Sequence, residues 1–224
     1  MDLIINGTSL SSLGVIVENQ TRFIKPKKRV EVIQVENQDG AKVIEKGYEP
    51  YTLEYRVTLT DASKFNQIYA LLNGDVVIQA SDDPGNYWNA KVIEGIEYDP
   101  LAIWKKATLS FYIENPFRYK HDESHTTLLT PGNVMNVGTV NSLPLIKIVG
   151  TGTVVISIDG RSFTYVFDTS FVYIDSFLQE AYHTSNLKNR KMTGEFPHLT
   201  PGLNAISWTG NVTELVVTPR SRYL

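Results

Sequence analysis

Along most of this chain, apolar and polar residues alternate with a period of two. Between positions 51 and 59, Tyr51, Leu53, Tyr55, Val57 and Leu59 interleave with Thr52, Glu54, Arg56 and Thr58. Aromatic and branched groups then share one face and polar groups the other, as in a half-buried antiparallel strand. Ala107, Leu109, Phe111 and Ile113 repeat the pattern and stop at Asn115-Pro116, where a ladder donor is lost. Similar patterning predicts strands near 2–6, 13–18, 29–35, 75–80 and 87–98. One segment departs from it. Phe65, Ile68, Leu71 and Leu72 recur at helical spacing after Asp61, a candidate N-cap, and before Asn73-Gly74, a left-handed stop. The spacing predicts a single helix over roughly 62–73, with its apolar stripe laid on a sheet.

The strand pattern pauses between about 120 and 142, through His121-Asp122-Glu123-Ser124-His125 and the turn-rich Thr130-Pro131-Gly132-Asn133. This is the expected boundary between a domain at 1–125 and a second at 126–224. Beyond it lie short strands near 143–149, 153–158, 162–167, 171–175, 180–184, 203–208 and 212–218. Asp159-Gly160 between two of them has the chemistry of a two-residue hairpin turn, since both residues tolerate positive φ. Strands at this spacing, with no helix between them, predict a sandwich or jelly roll. The fold class is mainly β.

Composition narrows the function classes. The 224 residues are 42% hydrophobic and 20% charged, enough to bury a core in one large domain or two smaller ones. The formal charge of −3 argues against bulk affinity for nucleic acid, which needs a basic surface. Residues 1–125 carry 14 basic and 18 acidic side chains, while 126–224 carry 7 and 6. With no cysteine there is no disulfide, thiolate metal site or thiol nucleophile. No apolar run approaches the ~18–20 residues that span a bilayer. The start, Met1-Asp2-Leu3-Ile4-Ile5-Asn6-Gly7, lacks the basic flank and apolar core of a signal peptide, so synthesis in the cytoplasm is expected. The sequons at Asn6, Asn19 and Asn211 carry no weight without a secretory route.

Candidate chemistry is sparse. His121 and His125 stand four apart, but on an extended chain that is about 13 Å, too far for one metal. His183 and His198 are isolated. No nucleophile elbow and no phosphate-cradling glycine loop is present. The acid pairs Asp82-Asp83 and Glu97/Asp99 could serve glycoside hydrolysis, but Asp82-Asp83-Pro84-Gly85 is more economically a turn. The expectation is a protein without catalytic activity, cofactor or metal. Trp88, Trp104 and Trp208 are candidate sugar-stacking platforms, and a carbohydrate-binding module with Trp88 or Trp208 on a concave face is the alternative function. The one basic cluster, Lys25-Pro26-Lys27-Lys28-Arg29, is either a partner-binding patch or the protective lead-in to an exposed strand.

The order of these features resembles the distal tail protein family of long-tailed, non-contractile phages of Gram-positive bacteria. Ile5-Asn6-Gly7 leading to Gly14-Val15, the helix ending in Leu71-Leu72-Asn73-Gly74, and the run Phe111 to Tyr119 with its Pro-Phe-x-Tyr ending carry the first half of the resemblance. Asn136-Val137-Gly138-Thr139, Pro144-Leu145-Ile146-Lys147-Ile148, Ile174-Asp175 and Ala181-Tyr182 carry the second. With them comes Phe196-Pro197-His198-Leu199-Thr200-Pro201-Gly202-Leu203-Asn204, running into Ile206-Ser207-Trp208-Thr209-Gly210. Phe196 and Leu199 are expected to plug a sandwich end, Pro201-Gly202 to form a type II turn, and Ile206 and Trp208 to alternate inward.

The resemblance implies an N-terminal β-sandwich or split-barrel-like domain with one helix, which assembles into a hexameric ring, and a peripheral galectin-like β-sandwich. It implies a virion structural protein at the tail tip. That protein is a baseplate hub joining the tail tube to the adsorption apparatus, with DNA passing through the ring. The partners so implied are further copies of the chain, the major tail tube protein, tail-associated and tape-measure proteins, and receptor-binding proteins. Residues 20–50 fit the family pattern loosely and are expected to supply an arm to a neighbour. Lys25, Lys27, Lys28, Arg29, Asp39 and Gly40 are the candidate interface residues.

Overall fold

The computed structural model describes residues 1–34, 36–37, 39–93 and 106–224. The chain divides into two compact units, Met1–Arg118 with Leu224, and Tyr119–Tyr223. The mainly β class expected from the patterning is the class observed, with one α-helix among the described residues.

In the first unit the strands are β1 (Leu3–Ile5), β2 (Thr8–Ser9), β3 (Val15–Val17), β4 (Lys28–Ile33), β5 (Lys42–Tyr48), β6 (Tyr51–Leu59), β7 (Gly74–Ala80), β8 (Asn86–Val92) and β9 (Lys106–Ile113). All but β4 and β5 join one antiparallel sheet in the order β2-β1-β7-β8-β9-β6-β3. The alternation at 51–59 is met residue by residue. Leu53, Tyr55, Val57 and Leu59 are buried and join Leu109, Phe111 and Ile113 from β9 in one core, while Glu54 and Arg56 face out. Asp61 accepts from the Ser63 amide at 2.9 Å and caps a 3-10 turn, Ala62–Lys64, which leads into α1 (Phe65–Leu71). Ile68 and Leu72 go into the core, and Phe65 and Leu71 pack at its margin. Strand β8 ends at Val92, so the part of the expected 87–98 strand beyond Ile93 lies outside the described residues.

β10 (Arg118–Lys120) stands where the chain passes from the first unit to the second. There follow β11 (Thr126–Leu128), β12 (Gly132–Asn136), β13 (Leu145–Ile158), β14 (Arg161–Val166), β15 (Phe171–Asp175), β16 (Glu180–His183), β17 (Asn186–Leu187), β18 (Met192–Thr193), β19 (Gly202–Thr218) and β20 (Arg222–Tyr223). Two expectations change here. The segments near 143–149 and 153–158 are one strand of 14 residues, and those near 203–208 and 212–218 are one of 17. The break seen in the pattern is a bulge: the β13–β19 register shifts between Val149 and Gly150 and again between Thr151 and Val155. Bulges bend a strand and increase its twist. Below the bend, β13 pairs with β15 through 145–149; above it, with β14 through 153–158. One sheet thereby turns back on itself. Ile146 and Ile148 from one limb meet Val154, Ile156 and Ile158 from the other in a single core.

The predicted hairpin at Asp159-Gly160 is present, with φ of 49° and 80° and Ile158 opposite Arg161. The pause at 120–142 is not strand-free, since it contains β11 and β12. Its second strand points Asn136 inward, and a buried amide breaks the apolar alternation that would have revealed it.

A clamped ribbon as the candidate interaction surface

Among the described residues strands β4 and β5 pair only with each other, Val32 opposite Val43 and Glu31 opposite Ile44, and form a two-stranded ribbon outside the main sheet. A two-stranded ribbon is marginal by itself in water. Here every residue of β4 is exposed, including Val30, Val32 and Ile33, and so is Val43 on β5. Apolar side chains and open strand edges of this kind are surfaces on which another chain can pair or pack.

The sequence-predicted site residues all fall on or beside this ribbon. Lys28 and Arg29 open β4, Lys27 directly precedes it, and Lys25 lies exposed in the stretch before. Asp39 and Gly40 stand, also exposed, between the two strands, Gly40 with φ of 86°. The basic cluster is not a bare cationic patch, however. Lys28 meets Glu45 at 2.6 Å, Lys27 meets Glu49 at 3.6 Å, and Lys46 meets Glu31 at 3.0 Å. The Glu45 hydrogen bond raises the Lys28 pKa above its ordinary value. Arg29 donates to the Lys46 carbonyl at 3.2 Å. Glu31 stands on β4, while Glu45 and Glu49 stand on or next to β5, a strand that the patterning does not predict because Val43 and Ile44 are adjacent and Glu45-Lys46-Gly47 follows, so no period of two shows. Exposed ion pairs of this type contribute little to stability.

The root of the ribbon is held firmly. Thr21 gives its hydroxyl and its amide to the Asp82 carboxylate, at 2.9 and 3.0 Å. Its hydroxyl also lies 3.2 Å from the phenol of Tyr55, which burial pushes up to about 12 in pKa. Asn19 extends the β3–β6 ladder by accepting from the Arg56 amide at 2.6 Å. Arg118 pairs with Asp83 at 2.7 Å and lies over the Phe23 ring at 5.1 Å. On the returning strand, Tyr48 packs edge-on against Phe117, and at the start of β6 Tyr51 accepts from the Trp88 indole at 3.1 Å. Asp82 and Asp83 form the turn predicted for them. Both carboxylates are occupied in anchoring the segment that leads to the ribbon, a role with no sequence signal because the partners lie 35 and 61 positions away.

Among the described residues, Trp88, Trp208, His121 and His183 make structural contacts. Trp88 is 1% exposed, which removes it as a stacking platform: its ring fills the first core. Trp208 is half-buried against the second core, next to Ile206 on β19 as the alternation requires. Trp104, Glu97 and Asp99 lie outside the described residues. His121 pairs with Asp122 at 2.7 Å, and His183 Nδ1 lies 2.9 Å from the Phe171 carbonyl. Among the described residues no three His, Asp or Glu side chains gather as a metal would require.

The architecture defined by these observations is a sheet unit bearing a projecting ribbon, followed by a unit in which one bent sheet forms both layers. No family model matches the chain, and no curated protein matches it in sequence. Among solved structures it is similar to the Dit protein (gp 19.1) of phage SPP1, described as a paradigm of the hub adsorption apparatus in phages that infect Gram-positive bacteria. The TM-score is 0.78 at 17% identity, over 100% of this chain and 99% of that one. It is also similar to a chain of the phage P2 baseplate in its activated conformation with Ca, with a TM-score of 0.50 at 7% identity over 96% of each. The chain therefore has the fold of a distal tail, or baseplate hub, protein.

Proposed function

We propose that this protein is a structural component of a phage or prophage virion, a distal tail hub that assembles as a hexameric ring and has no enzymatic role. The observation that carries the reading is the end-to-end fold match to SPP1 Dit, which spans both units. In this role the first unit builds the ring, and the ribbon at 28–48 reaches onto the next copy and covers its exposed valines there. The major tail tube protein docks on one face of the ring and tail-associated or tape-measure proteins on the other. Receptor-binding proteins attach at the periphery, where the second unit, a galectin-like sandwich, stands. The ring sits at the virion tail tip after synthesis in the host cytoplasm. DNA passes through its channel, and the acidic excess of residues 1–125 suits a wall that must not retain it.

Mass in solution across a concentration series, with negative-stain images of the largest species, tests this reading. A six-fold ring with a central channel is expected. A chain that stays monomeric both alone and when mixed with its neighbouring tail proteins would overturn it.

A further inference from the structure

The second unit contains a cavity of about 250 Å³ between the hairpin at 158–163 and the loop at 194–198. Its origin is local. At Gly194, with φ of 111°, the loop presses on the hairpin so closely that a Cβ would lie 3.1 Å from the Phe163 Cα. The four residues that follow, Glu195 to His198, all line the space. Ile158 and Phe163, both buried, belong to its apolar lining, and Phe196 and Pro197 are partly exposed. Four polar residues share that lining: Arg161, Ser162, Glu195 and His198.

Arg161 is held in place without being used up. One of its terminal nitrogens donates to the His198 ring Nε2, and the other to the His198 carbonyl at 3.3 Å, with the Asp159 carboxylate at 3.9 Å. A guanidinium has five N–H donors, more than the His198 contacts use. Burial and then the neighbouring guanidinium lower the His198 pKa, leaving the ring uncharged at neutral pH and an acceptor for Arg161. The local charge is one cation against two carboxylates, Asp159 and Glu195. That balance disfavours an anion, and the Asp159 side chain is already engaged with the Ala205 amide at 2.8 Å. What fits is a small uncharged molecule with one apolar face and many hydroxyls, and the volume admits a single ring.

We propose that this cavity binds one neutral pyranose unit of a glycan, its C–H face against Phe196 and Pro197 and its hydroxyls on Arg161, Ser162 and Glu195. The site belongs to the second unit alone and is independent of ring assembly.

Saturation-transfer NMR on the full chain, with glucose, galactose, N-acetylglucosamine and glucuronate as probes, tests the proposal. At least one neutral sugar is expected to receive saturation, and affinity for it to fall about tenfold in Arg161→Ala. Glu195→Gln alters an exposed side chain and cannot fail through misfolding; it is expected to weaken the same sugar. No response from any neutral sugar, or a response undiminished in both variants, would overturn the site. A stronger response to glucuronate than to glucose would overturn its assignment to an uncharged ligand. Mass measured on the same samples keeps this outcome separate from that of the ring.

Discussion

A methyl group built on Gly138 would lie 2.3 Å from the Arg222 carbonyl oxygen and 2.7 Å from its amide nitrogen. That contact explains the Asn136-Val137-Gly138-Thr139 run. Asn136, 1% exposed, accepts from the Gly138 amide and donates to the Val140 and Leu199 carbonyls, and Thr139 donates to the Arg222 carbonyl. Gly138→Ala is expected to destabilise the second unit by about 2–3 kcal/mol, read by chemical denaturation. Asn204 does similar work at the other motif. Fully buried, it bonds the Thr200 amide and the Thr200 and Gly202 carbonyls, bracing the Pro201-Gly202 turn.

Asp175 belongs to the same scale. Burial alone would raise its pKa, but the two-pronged Arg220 contact at 2.7 and 2.9 Å and the Phe177 and Leu178 amides more than offset that, and the net shift is downward. A carboxylate with a depressed folded pKa stabilises fully above its ordinary value of 3.8, and that contribution is lost as pH falls through the lower folded value. The second unit is therefore expected to lose stability below about pH 4. Asp175→Asn should cost about 2 kcal/mol at pH 7 and flatten the acid limb of the stability profile.

At the scale of elements, the ribbon and the bent strands behave oppositely. The strands β13 and β19 are long because a shared bulge lets each serve both layers, so their stability comes from the core they enclose. Among the described residues the ribbon encloses no core. Its cross-strand pairs set register, while Thr21, Tyr48 and Phe117 fix its root. Val32→Ser combined with Val43→Ser changes side chains that are 56% and 57% exposed, so the monomer's unfolding midpoint should stay nearly unchanged. If the ribbon covers a neighbouring copy, the same variant should shift the assembly toward smaller species in sedimentation. An unaltered distribution would remove the ribbon from the interface.

For the whole molecule, the issue is which unit carries assembly. The chain has two separate cores, one built on Trp88, Tyr55 and Phe111 and the other on Tyr165, Ile146 and Ile148. A chain ending at residue 125 retains the first core and the ribbon entire. It is expected to oligomerise as the full chain does, measured by light scattering. A monomeric truncation beside an assembling full chain would move the ring to the second unit.

Much of this protein was legible without tertiary information. Strict alternation at 51–59 and 107–113, helical spacing at 65–72 and the Asp-Gly hairpin each report a local backbone choice, and a half-buried face writes that choice into the chain as a period. Elements whose sequence does not alternate left no such record. Strand β5 sets Val43 beside Ile44 and continues through Glu45-Lys46-Gly47, and β12 turns an asparagine inward. The bulge read as a gap because its register shift interrupts the period without ending the strand. What only the tertiary structure decided is which distant groups meet. Glu45 and Glu49 pair with Lys28 and Lys27 of the basic cluster, Asp82 and Asp83 clamp the ribbon's root, and Arg161 and His198 border one cavity. Such pairings depend on where the sheets bring the chain back, and no periodicity in the sequence encodes that.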